Sequence, residues 1–349
     1  MNVHQLLSGA GPHDAITTEA AQFRARFTEW GWGGRDHAAR LAPGLNGAVR
    51  PLSQFAPAPD DVLLLHHSAG SPRLERLLAW SNRKLLLYHN VTPPEWLWGH
   101  APLVAVHCAL GREQLPELVA HATVAAADSE FNASELRALG AQRTEVIPLL
   151  LDRAPLGPPG SGERAGPPTI LFVGRLSPHK RQEDVIRVFA LYRRQHAADA
   201  RLVLVGDPVT EAYVERLRSL ADQLAPGAVT IESQISQAEL GDHYRAADVF
   251  LCLSAHEGFC IPLLEAFHFG VPVIARPSGA VPETAGDAAL LVDDGDPAVI
   301  AELLHLAVTD AELRASLAQR GRLRLDAYTP DVVATRLRAA VEATAGAIG

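Results

Sequence analysis

Short aliphatic runs alternate with amphipathic stretches along almost the whole chain, and this alternation restricts the fold more than any other feature. Strand-length runs that alternate with helix-length amphipathic stretches are typical of βα units, whose strands pair in parallel. Strands are predicted at residues 3–8, 61–66, 84–89, 123–127, 144–148, 169–174, 201–206, 229–232, 248–253, 271–275 and 289–292. The sequence therefore predicts an α/β protein built on parallel sheets.

The length and one Pro/Gly-rich segment predict two domains. A chain of 349 residues suits two domains of ordinary size. Residues 152–168 are rich in Pro and Gly, which continue neither a helix nor a strand, so this segment is the predicted linker. The predicted domains are residues 1–151 and 169–328, and residues 329–349 contain a final helix whose start is marked by Thr329-Pro330.

Charge and cysteine usage exclude several classes of protein. The 40 Asp and Glu against 31 Lys and Arg give a net charge of −9, which opposes non-specific binding to nucleic acid or to an anionic bilayer. The three cysteines, Cys108, Cys252 and Cys260, are scattered and form no C-x-x-C pair, so neither a disulfide framework nor a zinc cluster is predicted. The start lacks a signal-peptide pattern and no apolar run approaches the roughly 20 residues of a membrane span, so we expect a cytoplasmic protein.

The strongest functional motif covers residues 254–266, directly after the predicted strand at 248–253. It has the order strand, glycine-containing loop and helix start, with Pro262 in the first helical turn. Backbone N–H groups at such a helix start attract phosphate. Glu257 and Glu265 accept hydrogen bonds from hydroxyl groups, which suits a sugar or a ribose. The residues predicted to bind a ligand here are Glu257, Gly258, Phe259, Cys260, Ile261 and Glu265.

A second motif covers residues 172–180, after the first strand of the second half. Gly174 lets the backbone turn at the strand end, so that Arg175 and Lys180 are able to close on one anion, with pyrophosphate the obvious candidate. Lys180 is also one of two lysines in a chain that otherwise uses arginine. Three residues after the next two strands are further candidates: Gly206 and Asp207 for approach to the ligand, and Ile235 beside a flat base.

Together these motifs resemble the donor-binding domain of the retaining glycosyltransferases of family 4, which have the GT-B fold of two facing Rossmann-like domains. The resemblance extends to the first half, where residues 61–68, 88–93 and 127–132 look like segments of a bacterial, mannosyltransferase-like subgroup. It implies that Glu257 holds the donor sugar and Glu265 the nucleotide ribose. It also implies that Arg175 and Lys180 hold the donor diphosphate and that the last helix crosses back to the first domain.

The resemblance also implies roles in the first half. It places His89 against the transferred sugar, so the predicted catalytic residues are His89, Arg175, Lys180 and Glu257. On residue type alone, His89 is more often a packed residue at a strand end. His13 stands in the loop after the first strand, where many relatives carry a small residue. Candidates for acceptor or loop contacts are Gly11, Asp14, Trp96 and Asp128.

The expected activity is transfer of a hexose from a nucleoside-diphosphate sugar to a hydroxyl acceptor, with retention of the anomeric configuration and without a metal or another cofactor. GDP-mannose is the first expectation for the donor and a UDP-hexose the second. The acceptor stays open among a glycan, a lipid-linked glycan and a small molecule. Nucleic acid is not an expected partner, and peripheral contact of the first helix with the inner face of a membrane stays an alternative.

Three other functions remain open at this point. A glycosidase would use Glu257 and Glu265 as paired carboxylates, which in a retaining enzyme stand about 5–5.5 Å apart. A non-hydrolysing nucleotide-sugar epimerase shares the two-domain fold, and fold alone does not decide function. A catalytically inactive partner subunit would keep the fold without the activity.

Overall fold

Residues 1–11, 14–45, 47–160, 166–293 and 295–346 are described by a computed structural model of the chain. The chain forms two compact units. The first comprises Met1–Glu95, Leu103–Leu151 and the chain from Tyr328 onward, and the second comprises Trp96–Pro102 and Asp152–Ala327. The second unit thus takes up Trp96–Pro102, which the sequence assigned to the first domain. Within the predicted linker, residues 161–165 lie outside the described residues.

The first unit is built on a parallel sheet. Its strands are β1 (Val3–Leu7), β2 (Asp36–Ala38), β3 (Val49–Pro51), β4 (Val62–His67), β5 (Lys84–Tyr88), β6 (Val124–Ala127) and β7 (Thr144–Val146). The helices interspersed among them are α1 (Ala15–Glu29), α2 (Glu75–Leu78), α3 (Pro102–Ala120) and α4 (Glu130–Ala138). Within the described residues the sheet has seven strands in the order β3-β2-β1-β4-β5-β6-β7, and all neighbours are parallel.

The two strands that the sequence did not predict, β2 and β3, are each only three residues long. β2 contains no aliphatic run, since its first two residues are Asp36 and His37. Its polar start is held by distant partners, because the Gln5 amide and the Arg24 guanidinium donate to the Asp36 carboxylate over 2.9 and 3.1 Å. These partners are invisible to a local pattern.

The second unit repeats the plan. Its strands are β8 (Thr169–Val173), β9 (Arg201–Val205), β10 (Val229–Glu232), β11 (Val249–Cys252), β12 (Val273–Ala275) and β13 (Ala289–Leu291). Its helices are α5 (Gln182–Gln195), α6 (Glu211–Leu224), α7 (Gln237–Ala246), α8 (Ile261–His268), α9 (Val281–Ala285), α10 (Pro297–Thr309) and α11 (Ala311–Arg324). In the described part of this unit the sheet is six-stranded and parallel, in the order β10-β9-β8-β11-β12-β13.

The last helix, α12 (Pro330–Gly346), packs on the sheet of the first unit, where it contacts β4, β5 and β6. Its side chains Val333, Leu337 and Val341 are fully buried in the core of that unit. The predicted α/β class, with two parallel-sheet domains and a final helix returned to the first, is confirmed. Over the part of the chain that the structure describes, no helix combines the length and apolar character needed to cross a bilayer.

Candidate functional site

In the second unit, the carboxyl ends of β8 and β11 lie next to each other, and the strand order reverses between them. From β8 the chain continues to β9 on one side, whereas from β11 it continues to β12 on the other. Crevices at such reversal points are where open α/β sheets bind ligands. The loop after β8 carries Arg175 and Lys180, and the loop after β11 carries Glu257, so the fold brings the two predicted motifs to one sheet edge.

Lys180 and Glu257 form a short buried ion pair. The Lys180 Nζ donates to the Glu257 Oε2 over 2.7 Å, and Glu257 is only 5% exposed. Burial disfavours the Lys180 ammonium, but the Glu257 carboxylate more than compensates, and the pKa of Lys180 is raised. The pair therefore holds one positive and one negative group in fixed positions at this edge.

The loop that carries Glu257 is held by residues that the sequence motifs did not include. Ser278 Oγ donates to the Ser254 carbonyl and Thr284 Oγ1 to the Phe259 carbonyl, each over 2.6 Å. The Glu257 carbonyl accepts from the Ala280 N–H over 3.0 Å. Gly279 makes this approach possible, since a Cβ on it would lie 2.1 Å from the Glu257 carbonyl oxygen. The segment between β12 and α9, together with Thr284 in α9, thus fixes the loop.

Helix α8 begins where the motif predicted, with Cys260 as its N-cap and Pro262 in its first turn. Cys260 has the left-handed conformation, with φ at 72°. One turn into the helix, Glu265 accepts a hydrogen bond from the Tyr244 hydroxyl over 2.7 Å. Burial raises the pKa of Glu265 to about 6, against the lowering effect of the Tyr244 hydrogen bond. Tyr244 had no sequence signal, because its helix lies outside the motif.

The weaker candidates of this unit lie in adjoining loops. Gly206 ends β9 against β8, where a Cβ would lie 1.9 Å from the Gly174 carbonyl oxygen. Asp207 bridges two loops, because its Oδ1 accepts from the Gln234 N–H over 3.1 Å. Ile235 follows directly and is half-buried. Gly206 and Asp207 thus fix the loop after β9, the neighbour of β8 in the sheet.

Arg175 differs from Lys180 in its surroundings. It is exposed, and its carbonyl accepts from the Gln182 amide over 2.9 Å. Within the described residues, the Arg175 guanidinium takes part in no ion pair. Its charge is therefore not neutralised by a protein carboxylate in that part of the chain.

In the first unit, two histidines stack at the carboxyl edge of the sheet. His66 lies in β4 and His89 follows β5, and their rings are parallel with His66 Nδ1 and His89 Nε2 3.0 Å apart. The side-chain amide oxygen Oε1 of Gln5 lies 3.0 Å from His66 Nε2, so this nitrogen carries the hydrogen. Burial, and then the neighbouring His89, lowers the pKa of His66 well below its usual value. Neutral His66 thus accepts at Nδ1 from His89.

Two buried carboxylates face His89. Its Nε2 lies 3.6 Å from Glu19 Oε2, and its Nδ1 lies 3.5 Å from Asp128 Oδ2. Burial opposes the charged ring, but Glu19 and Asp128 outweigh this and raise the pKa of His89. Asp128 itself is tied to Asn132, whose amide donates to it. The structure thus places the predicted residues His89 and Asp128 together.

Glu19 and His66 are the members of this cluster that were not among the predicted site residues, and Glu19 lies in a segment with no functional signal. It lies in α1 and is 2% exposed, and its Oε1 accepts from the Leu150 N–H over 3.3 Å. Its Oε2 has no hydrogen-bond partner within the described residues. Burial raises the pKa of Glu19 to about 7; the His89 charge opposes this rise, and the Asp128 and Asp14 charges add to it. A glutamate on an amphipathic helix gives no local sign of such burial.

We expect the native chain to lose stability relative to a Glu19→Gln variant as the pH rises from about 4.5 to about 7. Over this range folded Glu19 keeps its proton while the unfolded chain has lost it, so stability falls with rising pH. The rise of the Glu19 pKa from 4.5 to about 7 corresponds to a loss of stability of roughly 3 kcal/mol at most. Urea unfolding of both chains at several pH values measures the difference. His89, Asp128 and Asp14 also face Glu19. Because these three groups titrate in both chains, most of their contribution to the pH dependence cancels in the difference between the two stabilities.

A matched control is Glu29→Gln on the same helix, where the carboxylate is exposed and pairs with Arg26. That variant should show little pH-dependent difference from the native chain. A difference between the native and Glu19→Gln chains that stays constant from about pH 4.5 to about pH 7 would contradict a protonated, buried Glu19.

The remaining candidates of the first half have other contacts. Asp14 caps α1, since its Oδ2 accepts from the Thr17 N–H over 2.9 Å, and the Gly11 N–H donates to Thr17 Oγ1 over 3.1 Å. His13 lies outside the described residues. Trp96 is half-buried and belongs to the second unit, which differs from the expectation that it lies in the first domain. Capping and loop closure account for the positions of Gly11 and Asp14.

Among the described residues, two groups of side chains have donor atoms close enough to hold a cation. They are Glu19 with His66 and His89, and Glu257 with Cys252 and Cys260; within each group the donor atoms lie within 4.8 Å of one another. The two thiols, scattered in the sequence, are free and have their sulfur atoms 4.0 Å apart. In the second group Lys180 already bonds the Glu257 carboxylate, which opposes a cation there.

Comparison with known proteins agrees with this geometry. Residues 158–324 match the family model described as "Glycosyl transferases group 1". A D-inositol 3-phosphate glycosyltransferase of Acidothermus cellulolyticus is 29% identical, over 89% of this chain and 82% of that protein. A GDP-mannose-dependent alpha-(1-6)-phosphatidylinositol monomannoside mannosyltransferase of Mycobacterium tuberculosis is 33% identical, over 46% of this chain. That second match spans 43% of the mycobacterial protein.

Among solved structures, the Anabaena protein HepE, determined in complex with UDP and glucose, is similar with a TM-score of 0.77. The two chains are 17% identical, and the match covers 97% of this chain and 99% of that one. Two Rossmann-like domains on parallel sheets, the expected GT-B class, are thus confirmed. The motif loops and the sheet order of the second unit thus agree with the similarity of residues 158–324 to the group 1 glycosyl transferases.

Proposed function

We propose that this chain transfers a hexose from a nucleoside-diphosphate sugar to a hydroxyl acceptor, with retention of the anomeric configuration and without a divalent metal. The observation that carries the proposal is the buried Lys180–Glu257 pair beside the start of α8, at the reversal point of the second sheet. Cationic and carboxylate groups side by side suit a ligand that joins a diphosphate to a polyol. A nucleotide sugar is such a ligand.

Loss of a sugar from a nucleoside diphosphate builds negative charge on the departing phosphate. Fixed positive groups at that phosphate stabilise the transition state more than the bound donor. In the proposal Lys180, Arg175 and the N-terminus of α8 supply them, and Arg175 is suited because no described carboxylate neutralises it. The ion pair with Glu257 keeps Lys180 in position before the donor binds.

The two glutamates take different parts of the donor in this proposal. Glu257 accepts hydrogen bonds from hydroxyls of the sugar, and Glu265 accepts them from the ribose. Glu257 bonds Lys180, whereas Glu265 bonds Tyr244. The two carboxylates are therefore not arranged as a cooperating catalytic acid and base. This argues against the glycosidase alternative, which needs a cooperating carboxylate pair.

For the other participants the proposal follows the relatives. His89 keeps its implied role in contact with the transferred sugar. GDP-mannose is the proposed donor and a UDP-hexose the alternative, supported by a relative named as GDP-mannose-dependent and by a structural neighbour determined with UDP and glucose. The acceptor is proposed to be a glycan or a polyol that carries a phosphate group or a lipid, since two relatives are named for an inositol phosphate and a phosphatidylinositol mannoside. The proposed location is the cytoplasm or the inner membrane surface.

Calorimetric titration with GDP, UDP, ADP and dTDP, in buffer containing EDTA, tests the donor site. We expect one nucleotide to bind, and Arg175→Ala to weaken its binding about 10-fold to 100-fold, because a charge-assisted contact to the diphosphate is lost. The matched control is Arg201→Ala, an exposed arginine at the opposite end of β9, which should bind as the native chain does.

The outcomes separate the alternatives. Binding of none of the nucleotides would contradict the proposal and favour an inactive partner, and binding only without EDTA would contradict metal independence. With the donor found, an NMR spectrum that shows an inverted anomeric linkage in the product would overturn retention. Conversion of the donor into its epimer without acceptor would identify an epimerase. Release of free sugar at a rate that does not depend on the acceptor would identify a hydrolase.

A further inference from the structure

A cavity of about 550 Å³ opens at the carboxyl edge of the sheet in the first unit. Its lining includes Ala38 at the end of β2, Pro51 at the end of β3 and Ser71 in the loop after β4. A volume of this size suits a small molecule such as a monosaccharide or polyol derivative. The cavity lies at the sheet edge where parallel α/β sheets bind ligands.

The ionisable residues that line this cavity are all basic. They are Arg40, Arg73 and His107, and within the described residues no carboxylate shares the lining. The described ion pairs include neither of the two guanidinium groups. Their charges repel each other unless an anion lies between them.

The surrounding backbone positions the Arg73 side chain and the helix that carries His107. The Arg73 Nη1 donates to the Ala39 carbonyl over 2.8 Å, which leaves its other nitrogens for a ligand. The Arg40 guanidinium lies over the loop after β1, with two nitrogens 3.8 Å from where a Cβ of Gly9 would stand. The Gly70 N–H donates to the His107 carbonyl over 2.8 Å and ties α3 to the loop after β4.

His107 lines the cavity, and among the described residues one of its ring nitrogens has no partner. Its Nδ1 is shielded from solvent and has no hydrogen-bond partner within the described residues. Burial, followed by the Arg40 charge, lowers the pKa of His107, which places the Arg40 charge near this imidazole. A buried polar atom without a partner costs free energy unless a ligand or water satisfies it.

We propose that this cavity binds a phosphate group carried by the acceptor. The proposal rests on the glycosyl transfer proposed above and names the chemical class of its acceptor. Two guanidinium forks and an imidazole suit a phosphate, which offers several acceptor oxygens and up to two charges, better than a neutral sugar. A soluble polyol phosphate and the phosphate of a lipid headgroup share this chemistry.

Phosphorus NMR line broadening of inorganic phosphate, added to the full chain at low ionic strength, tests the cavity. The variants are Arg40→Ala with Arg73→Ala, the control Arg143→Ala, and Lys180→Met in the second unit. Arg143 is exposed, pairs with Glu145 and precedes β7 at the amino edge of the same sheet. We expect phosphate affinity to fall at least about tenfold in the double variant alone, because two charge-assisted contacts are lost.

Unchanged phosphate binding in the double variant overturns the proposal, as does loss confined to Lys180→Met, which would assign the phosphate to the donor site. GDP and UDP titrations on the same samples report separately on the proposed function, and urea unfolding of each variant shows whether the first unit, which carries Arg40 and Arg73, is folded. If no nucleotide binds but phosphate binding still depends on Arg40 and Arg73, the donor proposal fails while the anion site stands.

Two further arms distinguish the sources of phosphate. Glycerol 3-phosphate that displaces inorganic phosphate indicates a soluble phosphorylated acceptor. Co-sedimentation with phosphatidylcholine vesicles only when they contain phosphatidylinositol, lost in the double variant and kept in Arg143→Ala, indicates a lipid headgroup. If glycerol 3-phosphate does not displace phosphate and the chain does not bind the vesicles, the site binds inorganic phosphate only. Its assignment to the acceptor is then overturned.

Discussion

Glu257→Gln is expected to slow glycosyl transfer by about 10²–10³-fold, the range seen when one preorganised polar contact to a transition state is removed. The amide keeps the shape of the side chain but loses the negative charge that accepts hydroxyl hydrogens and neutralises Lys180 across 2.7 Å. Lys180 then carries a buried charge without its partner, which also weakens its control of the departing phosphate. Initial rates with a saturating donor, and urea unfolding of the same samples, measure both effects.

The matched variants are Glu265→Gln and Lys180→Met. Glu265 bonds Tyr244 instead of Lys180, so its loss should weaken nucleotide binding more than it slows transfer. The double variant Lys180→Met with Glu257→Gln should lose less than the product of the two single losses, because the residues act as a pair. A native rate in Glu257→Gln would remove this residue from the mechanism, and a loss that follows the unfolded fraction alone would make its role structural.

Gly279→Ala is expected to have the largest effect on stability and to abolish nucleotide binding. Gly279 has φ at 57°, which costs a side-chain-bearing residue about 1–2 kcal/mol. Its added Cβ would also lie 2.1 Å from the Glu257 carbonyl, so backbone must move. The sum should exceed roughly 3 kcal/mol, and the movement displaces the loop that carries Glu257.

Gly227→Ala provides the comparison, because Gly227 lies in the same unit with φ at 70° and nothing within 4 Å of its added Cβ. That variant should lose only the stability that a side chain costs at a positive φ, about 1–2 kcal/mol. It should bind nucleotide as the native chain does. Urea unfolding and calorimetric nucleotide titration measure both variants. Equal losses in the two variants would show that the contact with Glu257 has no effect.

Much of the second unit was predictable from local pattern. The strand Val229–Glu232 has the predicted bounds, and α8 begins at the predicted glycine-containing loop with Pro262 in its first turn. These features depend on aliphatic runs and on backbone preferences of Gly and Pro, which act over a few residues. The sequence therefore singled out Arg175, Lys180 and Glu257 as candidates, but it did not indicate the ion pair between Lys180 and Glu257.

The first unit was less predictable where its contacts join distant residues. Glu19 meets His66 and His89 from a different element, and β2 is held by partners such as Arg24 rather than by an aliphatic run. The residues Trp96–Pro102 join the second unit although their neighbours on both sides belong to the first. No local periodicity carries this information.

The amino-acid sequence alone accounts for the parallel α/β class, most strand positions and the motif loops, because side-chain period and Gly/Pro backbone preferences are local properties. Tertiary packing accounts for the Lys180–Glu257 pair, the Glu19–His66–His89 cluster, the approach of Gly279 to Glu257 and the basic cavity around Arg40. The burial of a side chain and its electrostatic partners depend on which elements are neighbours in the folded chain. The order of the strands in each sheet determines those neighbours, and a local sequence pattern does not contain it.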